Sequence, residues 1–133
     1  MKLLFKIKKT PNFVFDYLTD MNKFVTVHPV ITKIEKANFG SYLVHETLKL
    51  GFIPISFTYP VTVESNPINN TVVICATVMK FTKIEMFFLL KAGTDFTIIE
   101  EEIRFKTILP IKSFMENIFK KQHGQLFKNI EAL

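Results

Sequence analysis

The sequence predicts an α+β fold, with helices gathered on one face of an antiparallel sheet. Three observations carry this. Residues 2–8 alternate in character, the period of a half-buried strand. Residues 31–107 read as about six consecutive strands cut by turn signals. The closing segment carries apolar side chains three and four residues apart, the period of an amphipathic helix.

Taken in order, Leu3, Phe5 and Ile7 share one face of the first strand, and Lys2, Leu4, Lys6 and Lys8 the other. Thr10 and Pro11 open a helix, with a hydroxyl at the N-cap and a proline in the first turn. Val14, Tyr17, Leu18 and Met21 follow at helical spacing. A second short helix carries Phe24 and ends at His28 and Pro29. The strands are punctuated by "ANFGS" (37–41), "LGFIP" (50–54), "SNPINN" (65–70) and "KAGTD" (91–95), with a weaker turn near Met79–Phe81. Pro110 closes the last strand. A helix over residues 111–131 then presents Ile111, Phe114, Met115, Ile118, Phe119, Gln122, Leu126 and Ile130 near one broad face. Gly124 lies inside it, where glycine costs about 1 kcal/mol relative to alanine. A bend, or the close approach of another element, is expected there.

The chain of 133 residues is enough for one domain, spanning 1–133, with a real core. Its aromatic residues are 15 Phe, 3 Tyr and no Trp, so most of that bulk has no polar handle and favours an apolar interior. The net charge of +5 is a mild excess, read as lysines on solvated faces. No aromatic-interleaved basic strand of the kind that stacks bases is present, so no nucleic-acid partner is expected. The single Cys75 allows no internal disulfide. No apolar stretch reaches the roughly 18 residues of a membrane span, and the interrupted start does not read as a signal peptide. A cytoplasmic location is the expectation.

Strand parity separates inward from outward residues. In "TIIEEEIRFK" (97–106), Glu101 shares a face with Ile99, Ile103 and Phe105, while Glu100 and Glu102 fall on the other with Arg104. Tyr42, Val44 and Leu48 share a face with Glu46. Phe57 and Tyr59 lie together on the next strand, and Met86 and Phe88 on a later one. Such a wall, apolar with few polar atoms, is the usual make-up of a small-molecule pocket. A lone ionised carboxylate in it is too costly to persist. With no inward lysine or arginine on neighbouring strands, desolvation is expected to leave Glu101 partly protonated near neutral pH, able to donate to a ligand carbonyl or to a helix side chain such as Gln122 or His123. The other reading places it at the sheet rim, in water.

The three histidines are dispersed, with no metal-like spacing, and no glycine-rich phosphate loop is present. No metal and no cofactor is expected. Cys75 reads as a small buried hydrophobe rather than a nucleophile. Phe87 and Leu89 fall on the outer face beside Leu4 and Ile98, a patch that would suit a protein partner or a homodimer.

The segments "TPNFVFDYLTD" (10–20), "VHPVITKIE" (27–35) and "TILPIKSFMENIF" (107–119), joined by an uninterrupted strand meander, resemble the START-like, polyketide cyclase/dehydrase (SRPBCC) superfamily. The resemblance spans the whole chain. It implies the helix-grip fold, in which a curved seven-stranded antiparallel sheet wraps around the C-terminal helix over a ligand cavity. It also implies that the first strand pairs with the last, letting Lys6 and Lys8 meet Glu100 or Glu102. The cavity is expected to be lined by Tyr42, Glu46, Phe57, Tyr59, Met86, Phe88, Glu101, Phe105, Gln122 and His123, with access near Gly51–Ile55 and His28. In the implied strand order three strands separate those of Glu46 and Glu101, roughly 19 Å along the sheet. A glycosidase-like pair needs about 5–9.5 Å. The expected function is binding or carriage of an apolar or amphipathic small molecule, lipid-like or polyketide-like. The alternatives are a cyclase, dehydratase or hydrolase using Glu101 or His123 for proton transfer, and a partner-binding module without a small ligand.

Overall fold

The computed structural model describes residues 1–133. The elements run β1 (Lys2–Ile7), α1 (Pro11–Thr19), α2 (Met21–Val27), β2 (Ile31–Asn38), β3 (Ser41–Leu50), β4 (Ile53–Asn66), β5 (Thr71–Val78), β6 (Thr82–Ala92), β7 (Thr97–Thr107) and α3 (Lys112–Glu131). Seven antiparallel strands form one curved, open sheet in the order β1-β7-β6-β5-β4-β3-β2. Every neighbour pair but one is a sequential hairpin. The exception, β1 against β7, brings the chain's first strand beside its last.

Local chemistry sets the helix starts. Thr10 accepts a hydrogen bond at Oγ1 from the Phe13 amide (3.2 Å), with Pro11 in the first turn. Asp20 ends α1 and caps α2 at once, accepting from the Asn22 and Lys23 amides. At α3 no side chain caps the start, so that end depends on packing.

Parity decides the core. Leu3, Phe5 and Ile7 stand opposite Glu101, Ile99 and Thr97, and the inner face they share is covered by α3. The C-terminal half of α3 is seated through Leu126, Phe127 and Ile130, all buried. Phe127 packs at a tilt against Phe5 with ring centroids 4.6 Å apart, and Asn129 donates to the Val27 carbonyl at 2.8 Å. The N-terminal half of α3 is only partly buried at Met115, Ile118 and Phe119 and exposed at Phe114. The helix therefore grips the sheet at one end and overhangs it at the other.

On the outer face the pairing differs from expectation. Lys6 stands opposite Ile98 rather than a glutamate, and its ammonium lies 4.0 Å from the Phe96 ring centroid. The Lys8 backbone amide donates to Glu131. Glu100 instead pairs with Lys91 (2.8 Å) and Glu102 with Arg104 (3.2 Å). Parity predicts which face a residue takes but not the register that selects its neighbour.

Gly124 lies within an unbroken α3, and a Cβ built there meets nothing within 4 Å. No neighbouring element requires a glycine. Gly124→Ala is expected to raise stability by about 1 kcal/mol through helix propensity alone, measured by urea unfolding. An unchanged or lower midpoint would refute this.

Candidate functional site

Between the concave sheet face and the overhanging half of α3 lies a cavity of about 210 Å³. Of its 26 lining residues, 21 are hydrophobic, so polar groups are few enough to follow one by one. They are His28, Glu46, Thr82, Gln122 and His123, with the Tyr59 hydroxyl. No lysine or arginine lines it.

The structure divides the expected site residues into two groups. Glu46, Phe57, Tyr59, Met86, Gln122 and His123 line the cavity. Tyr42, Phe88, Glu101 and Phe105 do not. Phe88 is buried where α3 lies directly on β6, 6.1 Å from the His123 ring and 6.3 Å from Phe127. Phe105 is covered by Phe119 at 5.5 Å. Tyr42 packs against the margin of the core. Glu101 is bonded to His123 and cut off from the void. These residues have the inward parity the sequence implies, but parity cannot tell a cavity wall from a surface the helix already covers.

Glu101 is 2% exposed, which excludes a rim position. Its Oε2 lies 2.6 Å from His123 Nδ1, supplying from α3 the partner that no neighbouring strand offers. The other carboxyl oxygen, Oε1, is the one buried side-chain polar atom without a hydrogen-bond partner. His123 in turn meets the Phe88, Phe119 and His28 rings, the last with centroids 6.4 Å apart.

Glu46 is bonded differently. It stands opposite Phe57 on β4, and its Oε1 accepts from the Tyr59 hydroxyl at 2.7 Å. Burial pushes the Glu46 carboxyl up, against smaller lowering effects of the Tyr59 hydrogen bond and of His123. Burial, and then the adjacent Glu46, push the Tyr59 phenol well above its ordinary range. Strands β4, β5 and β6 stand between Glu46 and Glu101, and each carboxyl has its own partner. They are not a catalytic pair.

His28 is the site residue that sequence reasoning placed only near an entrance. It ends α2, with its backbone amide on the Phe24 carbonyl. Its Nδ1 accepts from the Val30 and Ile31 amides at 3.3 and 3.2 Å. That fixes the neutral tautomer with the proton on Nε2. Burial, and secondly the neighbouring His123, hold its pKa down to about 3. No period could have revealed its direction, because His28 lies in a loop, where parity has no meaning.

The cavity opens where Met79, Leu109 and Phe114 are both lining and exposed. Residues 51–55, expected at the entrance, are not among the lining ones. β4 pairs with β5 only from Val61 onward, so the β3–β4 tip runs past the end of β5 and away from the void. Met79 and Lys80 both adopt positive φ, a tight hairpin turn built without the glycine or asparagine such turns favour. No group of three or more His, Cys, Asp or Glu side chains is placed to hold a metal. No helix is long and apolar enough to cross a membrane.

Comparison with known proteins places this geometry. Ara h 8.0201 superposes with a TM-score of 0.76 at 17% identity, covering 99% of this chain and 94% of that one. A START superfamily protein from Mycobacterium smegmatis gives 0.77 at 15%, with coverages of 99% and 94%. The Zhui aromatase/cyclase from Streptomyces sp. R1128 gives 0.67 at 8%, with 99% and 90%. At these identities the likeness shows the fold, the helix-grip architecture of the START-like (SRPBCC) superfamily. A search of curated proteins finds no match. The model of one family, that of the CoxG subunit of carbon monoxide dehydrogenase, matches residues 4–106. On that match, together with the fold, the chain belongs to the CoxG family within the START-like superfamily.

Proposed function

We propose that this chain binds and carries an apolar or amphipathic small molecule in the cavity under the overhanging half of α3. The observation that carries this reading is the composition of the wall, 21 hydrophobic residues of 26 with the polar groups few and mostly paired or pinned. A volume of about 210 Å³ is below the roughly 300–1,000 Å³ of common ligand pockets. It would take a head and the start of a chain, and the rest of the chain would leave past Met79, Leu109 and Phe114. An environment-sensitive dye should bind, and amphiphiles with a medium-length alkyl chain should displace it. Native mass spectrometry of the purified protein should show a lipid-sized adduct. No displacement by any amphiphile, with no adduct, would overturn the carrier reading.

A second reading is favoured by the Glu101–His123 pair. A carboxyl group that orients a cavity histidine is the arrangement general acid–base catalysis uses, and one fold relative is by name an aromatase/cyclase. A cyclase or dehydratase activity would be lost in His123→Gln while ligand affinity persisted. A protein partner or homodimer would use the outer-face patch, where Leu4 is 68% and Phe87 37% exposed. The same native spectra report dimer mass.

A further inference from the structure

We propose that the cavity floor offers a pair of hydrogen-bond donors, His28 Nε2 and the Gln122 amide, that reads a neutral acceptor oxygen, a ketone or ester carbonyl, at the head of the ligand. The proposal rests on the carrier reading and names the head group it selects. The floor is made by His28 from the α2–β2 loop, Glu46 from β3, and Gln122 and His123 from α3.

Each group's free valence follows from the bond its other atoms already make. His28 Nδ1 is occupied as an acceptor by two backbone amides, so Nε2 carries the proton and can only donate. His123 Nδ1 is bonded to Glu101 Oε2. That bond leaves Nε2 as the ring's free nitrogen, facing the cavity that His123 lines. Glu46 accepts from Tyr59 at Oε1, which leaves Oε2 as its free oxygen, and burial shifts this carboxyl toward its uncharged form. Gln122 is buried and lines the cavity, and its amide NH₂ can donate there. None of the free polar atoms of these four residues is sealed off, since the single buried atom lacking a partner is Glu101 Oε1.

His28 Nε2 and the Gln122 amide are donors in one cavity, two carboxyl groups stand in or behind its wall, and no lysine or arginine lines it to balance an incoming anion. A carboxylate or phosphate head would be brought next to carboxyl groups without a counter-charge, at a heavy desolvation cost. A carbonyl oxygen accepts two hydrogen bonds and carries no charge to desolvate. A site built of donors also discriminates against a head that cannot accept, because its buried donors then go unpaired.

The test uses the wild-type chain and three probes with nearly matched alkyl tails: methyl nonyl ketone, decanoic acid and decylamine. Dye displacement is measured near neutral pH. The ketone is expected to bind at least about tenfold more tightly than the acid or the amine. Gln122→Leu should lower ketone affinity and leave the acid unchanged, while Glu46→Gln, which fixes an uncharged group at that position, should retain the ketone preference. Preference for the amine would mean that the floor is anionic and would overturn the proposal. Preference for the acid, or equal affinity for all three, would overturn it too while leaving the carrier reading in place. Failure of all three probes and of longer-chain analogues to displace the dye would remove both.

Discussion

His123→Leu is expected to destabilise the fold by about 3–5 kcal/mol, the cost of stranding one member of a buried acid–base pair. Glu101 would keep a 2% exposed position with neither oxygen bonded, since Oε1 already lacks a partner and Oε2 would lose Nδ1. Glu101→Leu should cost less, because an imidazole ring left without its partner still packs among Phe88 and Phe119. The double variant Glu101→Leu/His123→Leu should recover most of the loss, because two hydrophobic side chains of similar volume replace a pair whose desolvation offset its attraction. Glu101→Gln keeps one hydrogen bond to the ring and should stay within about 1 kcal/mol of wild type. Urea unfolding of the four variants gives the coupling directly. If the two leucine substitutions simply add, the pair is not an energetic unit and the account of Glu101 fails.

That pair also shows where sequence reasoning stops. The inward direction of Glu101 followed from a period of two, and the need for a partner followed from burial. His123 and Gln122 were both within reach on the predicted helix face. The choice between them depends on how α3 is rotated over β7, which no local pattern encodes. The same limit separates Phe57 and Met86, which line the void, from Phe88 and Phe105, which α3 covers. All four have inward parity; whether a residue meets a cavity or a helix is a property of the assembled layers. The seven strands and the closing helix were legible because alternation and the three–four spacing are local. The Met79–Lys80 turn gave the weakest signal for a physical reason: both residues take positive φ without the residues that make such turns easy to recognise. His28 was hardest to read. Its role depends on backbone amides two and three residues ahead, in a loop with no period.

His28 leads to the second large effect, on acid stability. Its folded pKa is about 3, against about 6.5 in the unfolded chain. Between these values the unfolded state binds a proton that the folded state refuses. Stability therefore rises with pH across this window and is lost as pH falls from about 6.5 toward 3, at up to about 1.4 kcal/mol per unit from this group. The cause is first burial, then the neighbouring His123, and geometry adds to both. A proton on Nδ1 would displace the Val30 and Ile31 amides that it now accepts from. Glu46 works in the opposite direction. Its raised pKa means that the folded state takes up a proton above 4.5 more readily than the unfolded chain, so acidification through that range relieves a cost. The wild-type curve is the sum of these and other groups, and a difference experiment isolates His28. His28→Asn offers a side-chain oxygen to the same amides, as asparagine does in local turns, but does not titrate. Near pH 7.5 the two proteins should differ by about 1 kcal/mol or less. Urea midpoints taken down to pH 4.5 should fall more steeply for wild type, and the gap between the curves should close and then reverse in favour of the asparagine variant. Parallel curves over that range would mean that His28 accepts its proton in the folded state at no cost, and the neutral donor assigned to the cavity floor would go with it.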